Sequence, residues 1–158
     1  MAALLLLVLG PAQAAPRVTP SGYPVPRYVS LKYGKVNARA GPSEDHRLLW
    51  VYRAKGLPLQ IIAETTDWRR VCDPQGQAAW VHKRGVDGAL TAMRVKPEPL
   101  PLRSRPDSAA RIQAFLRPQS IASLDRCDKG WCRLKAGGAS GWTPRTEIWG
   151  ALPTAQCR

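Results

Sequence analysis

Four cysteines, two histidines and six tryptophans are the residues of this 158-residue chain with the most chemistry to offer. A cysteine hydrolase needs a thiol nucleophile and a base within reach of it. Cys72 with His46 or His82 supplies the residue types, but no glycine elbow or helix presents the nucleophile. A glycosidase needs two carboxylates from separate segments facing one cleft. Glu44 and Asp45 are instead adjacent and read as solvated loop residues. A zinc centre needs four well-placed ligands, and neither histidine lies near Cys127 and Cys132. The expectation is a protein without catalysis, metal or cofactor.

Composition narrows the class. The chain is 44% hydrophobic, too rich for intrinsic disorder. Its fifteen prolines and thirteen glycines argue against long helices, whose interiors both residues break. Met1 to Ala14, MAALLLLVLGPAQA, carries an apolar run well short of the roughly 20 residues that span a bilayer. Pro11 ends the run, and Ala12-Gln13-Ala14 is a small-x-small cleavage pattern. Residues 1–14 are therefore read as a signal peptide cleaved after Ala14, which places the mature protein in the periplasm or outside the cell. No later stretch has membrane length, so it is not expected to be integral to the membrane. Four cysteines suit that oxidising compartment. Cys127 and Cys132 flank Asp128-Lys129-Gly130-Trp131; a hairpin there sets them opposite each other, within disulfide range. Cys72 and Cys157 are the remaining pair, and their pairing stays open.

The elements that must carry these residues come in two copies. VNARAGPS at 36–43 matches LPLRSRPD at 100–107, with Arg39 and Arg103 in register and a proline three residues on. DWRRV at 67–71 matches GWCRL at 130–134, and WVHKRGVDG at 80–88 matches WTPRTEIWG at 142–150. Three landmarks in one order at near-equal spacing define a repeat. Strand patterns recur in copy one at 36–39, 48–52, 57–64, 68–72 and 78–81, and in copy two at 100–103, 112–115, 121–127, 131–135 and 141–143. Glycine and proline turns separate them.

These residues resemble the bacterial SH3-like domain. Asn37, Arg39, Gly41 and Pro42 match an N-x-R-x-G-P signature, and Ala79-Trp80-Val81 and Gly141-Trp142-Thr143 stand where the family's closing G-W-V lies. The whole chain is similar to exported tandem SH3-like proteins of Gram-negative bacteria, the Cys-x4-Cys hairpin included. The resemblance implies an all-β protein of two tandem small five-stranded SH3-like barrels, at 28–90 and 100–150. A proline-rich arm at 15–27, a linker at 91–99 and a tail at 151–158 complete the expected organisation, with the arm extended and mobile.

In such a barrel the loops at 40–47 and 53–56 border a shallow groove. Trp50, Tyr52, Trp68 and Trp80, with Arg39 and Arg53, are the candidate ligand-binding residues. Aromatic faces beside arginines provide stacking, cation–π contacts and charge-assisted hydrogen bonds. Trp68 and Trp80 also have the bulk to fill a small core, whereas Trp50 and Tyr52 flank Val51 and are expected to face outward. The chain's 24 Lys and Arg against 11 Asp and Glu, a formal +13, suit a nucleic acid by sign alone. The charge is spread evenly: twelve cations against six acids in 15–90, and twelve against five in 91–158. No basic run exceeds two residues, and the signal removes the protein from nucleic acid. The expected role is an exported, non-catalytic module binding a cell-wall peptide or an envelope protein. Anionic envelope polymers supply the electrostatic background. The alternative is an interaction domain partnering a cell-wall hydrolase or secretion component, without wall affinity.

Overall fold

The computed structural model describes residues 19–157. The signal segment at 1–14, its cleavage site and residues 15–18 of the proline-rich arm lie outside the described residues. The described chain is all-β, and two antiparallel sheets carry it. The first uses β1 (Arg27–Leu31), β2 (Val36–Arg39), β3 (Leu48–Tyr52), β4 (Pro58–Glu64), β5 (Trp68–Cys72), β6 (Ala78–His82) and β7 (Val86–Asp87), in the order β3-β2-β6-β5-β4-β1-β7. The second uses β8 (Thr91–Met93), β9 (Leu100–Arg103), β10 (Ile112–Leu116), β11 (Ile121–Asp128), β12 (Trp131–Ala136) and β13 (Ala139–Pro144), in the order β10-β9-β13-β12-β11-β8. Each of β6 and β13 runs into a single 3-10 turn, at Lys83–Gly85 and Arg145–Glu147.

Alternation of side chains drives this arrangement. Ala79 and Val81 of β6 point inward while Trp80 between them does not, and strands from β1 to β6 all feed one buried cluster around Leu31, Leu59, Ile61, Val71 and Val81. A single sheet reaches one cluster from so many strands only by wrapping around it, as tandem SH3-like barrels do. Leu100, Leu102, Leu116 and Leu134 build the second core in the same way.

The five strands expected in each copy are all present; each copy gains one N-terminal strand, and the first also gains the two-residue β7. β1 pairs with β4 and β7. β8 pairs with β11, and Met93 bridges to Trp149 as β1 does to β7. Residues 91–93, expected as linker, therefore belong to the second sheet. Thr91-Ala92-Met93 is too short and too close to prolines to register as a strand until a partner pairs with it. The arm departs from expectation too. The Glu64 carboxylate is shut off from solvent and accepts from the Ser21 amide at 2.8 Å and from the Arg27 guanidinium. A buried carboxylate needs such donors, and they dock residues 21–27 on the barrel.

The barrels are not independent beads. Met93 is buried in the first barrel's core and Ile121 packs against it. The Thr91 hydroxyl donates to the Gly56 carbonyl at 2.7 Å, and the Tyr28 ring meets Trp149 edge-on at 5.4 Å. Gly150 has φ +107°, and a Cβ there would stand 2.5 Å from the Thr91 carbonyl oxygen, so this junction admits only glycine. The tail returns to the first barrel. Gln60, fully buried, donates to the Thr154 carbonyl at 2.9 Å and accepts from the Gln156 amide at 2.7 Å. Cys157 is then bridged to Cys72, with Cα atoms 5.7 Å apart. The second bridge joins Cys127 and Cys132, directly opposed on β11 and β12. Their hairpin turns through Lys129 and Gly130 at φ 44° and 83°, the paired positive values of a type I′ turn.

Two outcomes follow from these tethers. Replacing Cys72 and Cys157 by serine removes a bridge of sequence separation 85 and should cost about 4.5 kcal/mol, against about 2 kcal/mol for the short Cys127–Cys132 loop. Urea unfolding followed by tryptophan fluorescence measures both. Burial alone would raise the Glu64 pKa, but hydrogen bonds from Ser21 and Arg27 outweigh it and hold the carboxyl at about 2, against an ordinary 4.5. A depressed folded pKa stabilises fully above the unfolded value and is lost as pH falls through the folded one. Thermal unfolding should therefore lose stability between about pH 4.5 and 2, and Glu64→Gln should flatten that part of the profile.

Candidate functional site

Register and parity decide which side chains share the first barrel's outer face. β2 buries Val36 and Ala38 and turns Asn37 and Arg39 outward. Arg39 lies directly opposite Trp80 of β6, and Trp80 directly opposite Arg70 of β5. Cross-strand partners share a face with Cβ atoms about 5 Å apart, so the half-buried Trp80 indole sits between two arginine stems. In the next row Trp68 opposes His82, their rings edge-on at 5.4 Å. Trp68 is buried at 8% exposure, yet it lies outside the apolar core cluster.

The loop beside this face is tied down from within. Arg39 Nη1 donates to the His46 carbonyl at 2.9 Å and the Ala40 amide to the Arg47 carbonyl at 3.0 Å. His46 Nδ1 pairs with the Ser43 hydroxyl at 2.7 Å, and its ring lies so close over Gly41 that a Cβ there would come within 2.2 Å. His82 Nδ1 accepts from the Arg84 amide at 3.2 Å. Both histidines are thus engaged in loop and turn contacts, and Cys72, held in its bridge, has no thiol to offer as a nucleophile.

The candidate residues divide between two faces. Arg39, Trp68 and Trp80 come together on the outside. Trp50 and Tyr52 do not join them, and the expectation that they face outward is corrected. They stand opposite Ala38 and Val36, both core-facing, so the parity around Val51 is as expected but the face is reversed. Ala38 is the physical reason: its small side chain leaves space that Trp50 fills, packing against the core with its ring edge-on to Tyr52 at 5.9 Å. Tyr52 is buried and its hydroxyl donates to Asp73 Oδ2 at 3.1 Å; burial and then the Asp73 charge raise its pKa. Asp73 Oδ1 accepts the Gln75 and Gln77 amides, so Tyr52 braces the β5–β6 turn. Arg53 is exposed in the turn after β3.

Sequence reasoning passed over Arg70 and the second copy of the row. Arg103 opposes Trp142, which opposes Arg133, and Arg103 Nη1 donates to the Ala110 carbonyl at 2.8 Å, seven residues on, as Arg39 does to His46. The repeat alignment, which superposes Trp80 on Trp142 and Trp68 on Trp131, held the signal for this. In the second barrel Pro144 replaces the histidine opposite the lower tryptophan, and a cleft of about 340 Å³ opens there, lined by Pro101, Arg103, Trp131 and Pro144. A further cleft of about 500 Å³ separates the docked arm from β1, between Tyr23, Arg27, Tyr28, Ile61 and Val86. At its wall the Tyr28 hydroxyl is buried without a hydrogen-bond partner among the described residues, and that burial pushes its pKa up to about 12.

The bacterial SH3 domain family pattern matches residues 32–88 and, a second time, residues 96–150. Among solved structures, the chain is similar to NlpC2 from Trichomonas vaginalis, at 15% identity and a TM-score of 0.36, over 80% of this chain and 49% of that one. It is similar to NlpC1 from the same organism at 15% identity and a TM-score of 0.35, over 88% and 50%. The chain thus spans about half the length of each. No curated protein matches it.

The division of faces sets a stability order. Trp50→Ala should destabilise by about 2–3 kcal/mol through lost packing, and Tyr52→Phe by about 1 kcal/mol through one lost hydrogen bond. Trp80→Ala should cost less than about 1 kcal/mol, because its side chain lies on the surface. Denaturant titration of the three variants checks the order.

Proposed function

The chain belongs to the bacterial SH3 domain family, twice over, and from that premise we propose an exported, non-catalytic module that binds a peptide component of the cell envelope through the first barrel's outer face. Domains of this family are binding modules for cell-wall components. The observation that carries the reading is the register row Arg39–Trp80–Arg70, a half-buried tryptophan flanked across the sheet by an arginine on each neighbouring strand. Arginines beside an aromatic plane suit a peptide that carries carboxylates: the indole takes the apolar stem and the guanidinium edges take the acid. Arg39 already donates one N–H to its loop, which fixes its position and leaves its other donors for a ligand.

Two bridged cysteine pairs fit an oxidising, extracytoplasmic compartment, and export to the periplasm or beyond is part of this reading. Among the described residues no helix is long and apolar enough to cross a membrane. The test is retention of the mature protein on purified peptidoglycan sacculi. Retention should fall about tenfold for Trp80→Ala combined with Arg70→Gln, with folding unchanged by circular dichroism. Retention unaffected by that pair would remove the first-barrel face from the reading. No retention of the parent protein would favour an interaction domain for a hydrolase or secretion partner.

A further inference from the structure

The second barrel repeats the outer row and then departs from it in one direction. Across its strands the register runs Ile112, Arg103, Trp142, Arg133, Arg126. Arg126 stands directly opposite Arg133, and like charges so placed repel. The acid in contact is Asp125, 3.5 Å from Arg133; Arg126 has no ion pair among the described residues. Its guanidinium lies over the Trp142 ring, 5.3 Å from the centroid. A cation–π contact of that kind uses none of the guanidinium's N–H donors on another protein group and leaves them for an oxyanion. Three arginines thereby gather around one indole. A bulge between Ile112 and Ala114 places Ile112 and Phe115 on this same outer face, opposite Arg103 and Pro101. Both are exposed, at 41% and 60%. At the matching places the first barrel has Ala63 for Arg126 and Val51 for Phe115, so the extra cation and the extra exposed aromatic belong to the second barrel alone.

We propose that this face is a docking surface for an anionic phospholipid bilayer. The arginines meet headgroup phosphates, and Phe115 with Ile112 enters the interfacial layer beneath them. Cations side by side with exposed apolar groups are the chemistry of membrane interfaces. A soluble anion would satisfy the arginines and leave Phe115 without a role. The proposal concerns a face other than the one assigned to wall peptides and does not depend on it.

Co-sedimentation of the full chain tests it, with vesicles of phosphatidylcholine alone and of phosphatidylcholine mixed with phosphatidylglycerol. Binding is expected to the mixed vesicles only and to weaken with salt. Arg126→Gln with Arg133→Gln should reduce it at least about tenfold, and Phe115→Ser should reduce it while leaving the salt dependence in place. Lys35→Gln with Lys55→Gln removes the same charge from exposed sites on the first barrel and should have little effect. Equal losses in the two double variants would mean diffuse attraction to net charge and overturn the proposal. So would failure to bind mixed vesicles, or binding of inorganic pyrophosphate, followed by NMR shifts of the Trp142 indole, without any vesicle binding. All substitutions lie on exposed or half-buried positions, and a thermal melt of each variant separates loss of binding from loss of fold.

Discussion

A guanidinium reaching seven residues forward is the contact around which both outer faces are built. In each barrel the last residue of the second strand, Arg39 or Arg103, donates to a carbonyl at the far side of the following loop. The loop is thereby tied back to the strand that precedes it. The arginine's cross-strand partner is a tryptophan in both cases. The strand beyond the tryptophan supplies a second arginine, Arg70 or Arg133. One hydrogen bond thus ties a loop to the sheet and fixes the arginine that stands across the ladder from a tryptophan.

The two barrels show how far the surrounding loop can change once that bond is kept. Gly41 in the first barrel makes room for the His46 ring, which the Ser43 hydroxyl holds in place. In the second barrel Arg105 takes the glycine's position and Ala110 the histidine's, so the large residue has changed sides. The carbonyl that the arginine needs survives, because it belongs to the backbone. Side chains around it were free to diverge, and the outer faces diverged with them: His82 covers Trp68 in one barrel, while Pro144 leaves Trp131 beside an open cleft in the other.

Much of this was legible in the sequence, and the limits are physical. Ten strands could be read because each alternates apolar and polar residues between turn formers. Strands β1, β7 and β8 could not, since Arg27–Leu31, Val86–Asp87 and Thr91–Met93 gain their identity from partners far along the chain. Alternation established that Trp50 and Tyr52 share a face; it does not say which face. That was settled by the small Ala38 across the ladder, a fact of pairing rather than of pattern. The Cys127–Cys132 bridge was readable because four residues separate the pair. Nothing local connects Cys72 to Cys157, and their pairing waited on the path of the tail across Gln60.

That path has a consequence for how the molecule reaches its covalent form. The two bridges are nested: the short one lies wholly inside the chain segment enclosed by the long one. During synthesis Cys72 emerges first and has no native partner until Cys157 follows, while Cys127 arrives before Cys132. An oxidant joining cysteines in order of appearance would link Cys72 to Cys127 and strand the other two. Closing a loop of a few residues is entropically cheap and fast compared with a loop of dozens, so the hairpin pair can seal itself as soon as both thiols are present. That leaves Cys72 one remaining choice. A tight I′ turn at Lys129–Gly130, by favouring prompt closure of its own pair, would leave Cys72 and Cys157 to each other.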